Sequence, residues 1–133
     1  SRGLGDVYKR QHLQEVADRR TKVLSGGWQR KLSIAMALIT EPQIIFLDEP
    51  TLGLDVLARR ELWEVIRRMK EKITIILTTH YMEEAESLSD KVAVMVDGQI
   101  KAMGSVEELK EQAGADNLEE AFVRIAQEGG ALS

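Results

Sequence analysis

With 133 residues the chain has the length of one modest domain, and its 44% apolar and 30% charged residues are typical of a folded globular protein. The 18 lysine and arginine residues against 22 aspartate and glutamate residues give a net charge of -4, which disfavours nucleic acid and anionic membranes as ligands. The absence of cysteine excludes disulfides and thiolate metal sites, and no apolar run approaches the roughly 20 residues that cross a bilayer.

The amino-terminal part predicts an irregular segment followed by two helices. Residues 1–10 show neither helical nor strand periodicity, and we expect them to be disordered or non-native. Apolar residues recur at helical spacing across Gln11–Arg20, which predicts a short amphipathic helix. After the Ser-Gly-Gly sequence that begins at Ser25, good helix formers run to Pro42. We therefore expect a second helix that Ser25 caps and that the proline ends.

The middle of the chain alternates between strand and helix patterns. Unbroken apolar runs of strand length occur at Ile44–Leu47, Ile73–Leu77 and Val92–Val96, and helical patterns separate them at Val56–Lys70 and Tyr81–Leu88. Such runs indicate strands covered on both faces, as in a parallel sheet between helices. The alternation predicts a doubly wound α/β fold.

The carboxy-terminal part predicts a hairpin and two helices. The Asp97-Gly98 pair directly follows the third apolar run, and this dipeptide is typical of a tight hairpin turn. A capping box at Ser105 predicts the start of a short helix. Asn117 is expected to cap a final amphipathic helix that runs to Gln127.

An apolar strand that ends in two acids forms the first candidate site. Ligands of mononucleotide-binding sheets lie at the carboxyl ends of the strands. Asp48 is therefore in a position to hold Mg²⁺, and Glu49 to accept a proton from an attacking water. Taken alone, the pair is equally well explained as a polar strand end.

Two further motifs suggest phosphate chemistry. In LSGGWQRK, Leu24–Lys31, the glycines let the backbone approach an oxyanion, and the amides at the start of the following helix favour phosphate. A plain helix cap is the commoner explanation of an isolated Ser-Gly-Gly. His80 follows the strand ITIILTT, where a single histidine is more often structural than catalytic.

Taken together, the order and spacing of these motifs resemble the ATP-binding subunits of ABC transporters. The resemblance identifies the family signature at Leu24–Trp28, Walker B at Ile44–Glu49, the D-loop at Thr51–Asp55 and the switch histidine at His80, and it covers about Gln11–Gln127. Stretches such as TIILTTHYMEEAESLSDKVAVMVDGQI look most like the exporter branch for drugs, antibiotics, sodium or polysaccharide.

The resemblance implies a role for each motif. Asp48 helps to hold Mg²⁺, Glu49 is the general base, and His80 contacts the γ-phosphate of ATP. The signature binds ATP that is held mainly by the opposite subunit of a head-to-tail dimer, and the D-loop communicates across that dimer. The residues of these two sets are Leu24, Ser25, Gly26, Gly27, Trp28 and Gln29 for the signature, and Gly53, Leu54 and Asp55 for the D-loop. Trp28 stands where the family most often has glutamine.

No phosphate loop of the form G-x-x-x-x-G-K-[ST] occurs in the sequence, and the upstream adenine-stacking aromatic and γ-phosphate-sensing glutamine also have no counterpart. We therefore predict the carboxy-terminal portion of a P-loop NTPase-like ABC ATPase fold. This α/β fold has a parallel sheet with flanking helices and a carboxy-terminal hairpin, and it lacks the P-loop strand. By itself such a fragment should be inactive, should expose the apolar strand Ile44–Leu47 and should be poorly soluble.

The expected divisions are 1–10 as a disordered or non-native segment, 11–41 as the end of the helical subdomain, 42–104 as the core, 105–127 as carboxy-terminal helices and 128–133 as a tail. The resemblance implies an ATPase that powers export through a transmembrane permease, which Gln11–Arg20 would contact. Its expected partners are a second ATPase subunit and the permease, without nucleic acid, at the cytoplasmic face of the membrane.

A non-transport ABC ATPase and a non-catalytic half-domain are the alternatives. The acidic charge argues against the first, and the intact Glu49 and His80 argue against the second.

Overall fold

The computed structural model describes residues 26–131 as two compact units that divide between Thr78 and Thr79. The first unit comprises α1 (Gly26–Leu38), β1 (Ile44–Asp48), α2 (Val56–Met69) and β2 (Thr74–Thr78). The second unit comprises α3 (Met82–Leu88), β3 (Val92–Val96), β4 (Gln99–Gly104), α4 (Val106–Ala113) and α5 (Leu118–Ala131). The type and the order of these elements are those predicted for this part of the chain. The predicted helix at Gln11–Arg20 and the cap at Ser25 lie outside the described residues.

A parallel strand pair forms the sheet of the first unit. β1 and β2 pair in register from Ile44 opposite Thr74 to Asp48 opposite Thr78. Parallel neighbours need a crossover, and α2 supplies it. The helix buries one apolar face, made of Leu62, Trp63, Val65, Ile66 and Met69. Both strands therefore end at the same edge of the sheet.

α1 ends earlier than the sequence predicted. The predicted stop was Pro42, whereas the helix ends at Leu38. A residue before proline is disfavoured in the helical conformation, and Glu41 adopts a left-handed φ of 52°. Its amide donates to the carbonyl of Leu38 at 3.0 Å, so the chain leaves the helix through a tight turn. The proline thus acts on the residues before it.

The third predicted strand pairs differently from the first two. Within the described residues, β3 pairs antiparallel with β4, and β1 pairs only with β2. The connection between β3 and β4 is the predicted tight turn, in which Asp97 and Gly98 have φ values of 51° and 77°. Val94 is the buried residue of β3, and Ala93 and Met95 on either side are exposed. This strand therefore buries one face, as expected for a hairpin.

The second unit is built around one apolar cluster. Its buried members are Ala85, Val94, Ala102, Leu109, Leu118 and Ile125. The predicted capping box is present, with the Ser105 side chain accepting from the amide of Glu108. Asn117 caps α5 by accepting from the amide of Glu120 at 2.8 Å. The helix extends to Ala131, past the predicted end at Gln127.

Among the described residues, no helix combines the length and the apolarity needed to cross a bilayer.

The core position of Leu109 gives a test of the second unit. Leu109 is 0% exposed, so Leu109→Ala removes buried methyl groups and leaves a cavity. We expect a loss of about 2–5 kcal/mol in the free energy of unfolding. The measurement is hydrogen exchange of the α4 and α5 amides. Val123→Ala on α5, where the side chain is 44% exposed, is the control and should change little. Equal effects of the two variants would contradict the assigned core.

Candidate functional site

One threonine links the two acidic residues at the edge where the parallel strands end. Asp48 and Thr78 are the last paired residues of β1 and β2. The Thr78 hydroxyl donates to Asp48 Oδ1 at 2.5 Å. The amide of Glu49 donates to the carbonyl oxygen of Thr78 at 2.8 Å and lies 3.3 Å from its Oγ1. The structure thus joins the two predicted acids to a threonine that the sequence analysis did not select.

The backbone of Glu49 turns sharply out of the strand. Its φ is 44°, in the left-handed region that costs a residue with a side chain roughly 1–2 kcal/mol. The carbonyl of Glu49 accepts from the amide of Leu52 at 3.2 Å, which closes a turn directly after the strand. Strained backbone of this kind concentrates at functional sites. Glu49 thus lies in the turn that follows β1, and its side chain is half-buried.

The donor set at this edge fits a magnesium ion. Mg²⁺ keeps several waters and is usually held by one or two carboxylates together with phosphate oxygens. Asp48 is exposed and offers one carboxylate at the strand end. No group of three or more His, Cys, Asp or Glu side chains within residues 26–131 forms a metal cage. The single carboxylate of Asp48 is compatible with a magnesium ion whose other ligands are waters or phosphate oxygens.

The start of α1 lies against the segment that follows Glu49. Gly26 and Gly27 open the helix, and a Cβ added at Gly26 would lie 3.3 Å from the Leu54 side chain. The Arg30 guanidinium donates to the carbonyl oxygens of Pro50 and Leu52, the latter at 2.7 Å. The signature helix and the D-loop are thus joined by hydrogen bonds and by a close contact. Leu24 and Ser25 lie outside the described residues.

The contact of Arg30 with this turn could not be predicted from the sequence because its hydrogen-bond partners are backbone carbonyls. They lie 20 and 22 positions away, and no local pattern marks them. A cleft of about 390 Å³ adjoins this contact. Its lining includes Arg30, Ser33, Phe46, Asp48, Glu49 and Leu52. The two acids therefore face an open space beside the signature helix.

Trp28 and Gln29 differ in their surroundings. The Lys31 ammonium lies 5.0 Å from the centre of the Trp28 ring and 3.0 Å from Glu61 Oε2. Lys31 is 8% exposed, so its charge is balanced by the carboxylate and by the face of the ring. Trp28 is half-buried and Gln29 is exposed. These contacts support a packing role for Trp28.

The three predicted D-loop residues form the end of the turn into α2. Gly53 has a φ of 81°, a conformation that favours glycine. Leu54 is half-buried, and its amide donates to the carbonyl of Thr51 at 3.1 Å. Asp55 is the N-cap of α2, where Oδ1 accepts from the amide of Ala58 at 2.8 Å. The resemblance gave Asp55 a role at the dimer, and the structure adds a role in its own helix.

His80 belongs to the second unit and comes directly after Thr79. Its exposed side chain lies beside Tyr81, with ring centres 4.7 Å apart and planes inclined by 31°. The amide of Tyr81 donates to the Thr79 hydroxyl at 3.0 Å, which fixes the short segment before α3. The histidine is thus held at a bend between a strand and a helix.

Comparison with known proteins assigns the chain to a family. A family model described as "ABC transporter" matches residues 3–52. The "ABC transporter A family member 8" of Arabidopsis thaliana is 46% identical over 99 residues, which are 74% of this chain and 11% of the relative. The "Phospholipid-transporting ATPase ABCA3" of Homo sapiens is 45% identical over 103 residues, which are 77% of this chain and 6% of the relative.

A solved structure, described as "Structure of ATP binding subunit of ABC transporter", shares the fold. It is 30% identical to this chain, with a TM-score of 0.73. The likeness covers 94% of this chain and 55% of that chain. The chain spans about a tenth of the length of the curated relatives it matches. The predicted α/β ABC ATPase fold is confirmed, and the chain belongs to the family of ABC transporter ATP-binding domains.

Proposed function

We propose that the protein containing these residues hydrolyses ATP with Mg²⁺ and couples this reaction to transport across a membrane. The observation that carries the proposal is the edge of the β1–β2 sheet, where Asp48 and Glu49 lie next to the Arg30-bound turn that contacts the signature helix. Family membership supports ATP as the nucleotide. Mg²⁺ would supply the charge that neutralises the reacting phosphates.

Each residue then has a defined task. Asp48 would hold Mg²⁺ directly or through a coordinated water, while the Glu49 carboxylate accepts the proton of the attacking water. His80 would contact the γ-phosphate. The amides at the start of α1 and the Ser25 hydroxyl donate to a phosphate at the positive end of the helix. The D-loop from Gly53 to Asp55 lies beside this helix and would follow its movement.

The signature would act on ATP that is bound mainly by another copy. The 133 residues contain no phosphate loop, so the β- and γ-phosphates would be cradled by a loop outside them. We infer a head-to-tail pair of ATP-binding domains in contact with a permease at the cytoplasmic face of the membrane. Within this proposal, residues 11–41 end the helical subdomain, 42–104 form the core, 105–127 form the carboxy-terminal helices, and 1–10 and 128–133 flank them.

The cargo we propose is a lipid. The sequence suggested a branch that exports drugs, antibiotics, sodium or polysaccharide, whereas the relatives with 44–48% identity are A family members or carry the name phospholipid-transporting ATPase. We therefore favour a membrane lipid as the transported molecule. Phospholipid added to the reconstituted full-length protein should stimulate ATP turnover, and stimulation by cationic drugs alone would contradict this choice.

The role of Glu49 is tested by Glu49→Gln in the full-length protein. A general base contributes about 10²- to 10⁴-fold to the rate, so we expect phosphate release to fall by at least two orders of magnitude. Nucleotide binding should persist because glutamine retains the size of the side chain. Glu64→Gln on the exposed face of α2 is the matched control and should retain full turnover. Unchanged turnover in Glu49→Gln would remove Glu49 as the base.

The in-trans role of the signature is tested by Ser25→Arg. The large, positively charged arginine side chain should block the approach of the opposite copy and abolish the ATP-dependent dimer. Dimer formation is measured by light scattering in a Glu49→Gln background. Nucleotide binding by the monomer should be unchanged. Thr40→Arg adds the same charge just beyond α1 and should leave the dimer intact. An equal loss of monomer binding in Ser25→Arg would show that the signature acts on its own nucleotide.

A further inference from the structure

We propose that Thr78 is a positioning residue that holds the two acids of the site in their working geometry. The inference rests on the proposed Mg²⁺-dependent hydrolysis of ATP and adds a residue to which no role had been given. Thr78 would touch neither the phosphate nor the attacking water. Its hydroxyl would act through Asp48, and its backbone through Glu49.

The hydrogen bonds of Thr78 are divided between the two acids. A threonine hydroxyl has one proton to donate and two lone pairs to accept with. The proton goes to Asp48 Oδ1 at 2.5 Å, and the oxygen lies 3.3 Å from the amide of Glu49. The carbonyl oxygen of Thr78 accepts from the same amide at 2.8 Å. One residue on β2 thus contacts the last residue of β1 and the residue that follows it.

The hydroxyl orients a carboxylate that is otherwise exposed. Among the residues that the structure describes, the hydrogen bond to the Asp48 carboxylate comes from Thr78. It engages Oδ1, which leaves Oδ2 for a cation or for a water bound to one. Without this donor the side chain would rotate among its conformers, and the cation would have to fix it on binding. Partners that orient metal-binding carboxylates contribute about 10- to 100-fold to metal affinity.

The strand itself does not need the hydroxyl. Thr78 is exposed, and the 2.8 Å bond from Glu49 uses the carbonyl oxygen, which every residue type retains. Valine is β-branched like threonine and is equally suited to a strand. Thr78→Val therefore removes the hydroxyl and leaves the pairing of β1 and β2 in place. Thr78→Ser keeps the hydroxyl and loses only a methyl group.

The experiment compares these variants in the full-length protein. ATP turnover is titrated with Mg²⁺, and binding of a fluorescent ATP analogue is measured with and without Mg²⁺ in a non-hydrolysing Glu49→Gln background. Thr78→Val should raise the Mg²⁺ concentration for half-maximal turnover and binding by about 10- to 100-fold. Binding without Mg²⁺ should not change. Thr78→Ser should restore the wild-type Mg²⁺ dependence.

Thr74→Val is the matched control because it makes the same change at the opposite end of β2, where the side chain is also exposed. It should behave as wild type. A wild-type Mg²⁺ dependence in Thr78→Val would overturn the positioning role while leaving the proposed function intact. Equal loss in Thr78→Val and Thr78→Ser with lowered melting temperatures would assign Thr78 to stability and also overturn it. Turnover that is insensitive to Glu49→Gln would instead remove the proposed function itself.

Discussion

The parallel register between β1 and β2 is the constraint on which the candidate site depends. Asp48 faces Thr78 because the two strands begin together at Ile44 and Thr74 and run in the same direction. A slip of one residue would turn every side chain of a strand to the other face, and Asp48 would lose its hydroxyl partner. The crossover helix α2 keeps the two strands parallel. The helix is held in place by burial of its apolar face. The geometry of the candidate site is therefore a consequence of how the core of the first unit packs.

The turn between β1 and α2 carries strain that its surroundings must offset. Glu49 has a left-handed backbone, at a cost of roughly 1–2 kcal/mol, and each hydrogen bond returns about 1 kcal/mol. Four such bonds described above act here: one from the Glu49 amide, one from the Leu52 amide and two from the Arg30 guanidinium. Thr51 in the same turn is buried, with 1% of its surface exposed. Helix α1 thus contributes, through Arg30, to the shape of the segment that follows Glu49.

The sequence predicted the elements well and their partners incompletely. Apolar runs, the Asp97-Gly98 turn and the caps at Ser105 and Asn117 are local signals, and the structure bears them out. The antiparallel pairing of Val92–Val96 with β4 was predicted because the Asp97-Gly98 turn marks it locally, whereas contacts between strands that are distant in sequence have no such mark. The Thr78 hydroxyl was missed for the same reason, although a hydroxyl at the end of the neighbouring parallel strand was a usable signal.

Asp55 illustrates how one side chain can serve the fold and the proposed function together. Its Oδ1 accepts a hydrogen bond from the amide of Ala58, which fixes the first turn of α2. A carboxylate has a second oxygen that can bind another partner. The cap also determines where the D-loop ends. Because α2 leads into β2, the cap at Asp55 lies at the start of the crossover that carries the chain to Thr78. The same carboxylate therefore fixes the start of the helix whose packing determines the direction of the strand beside Asp48.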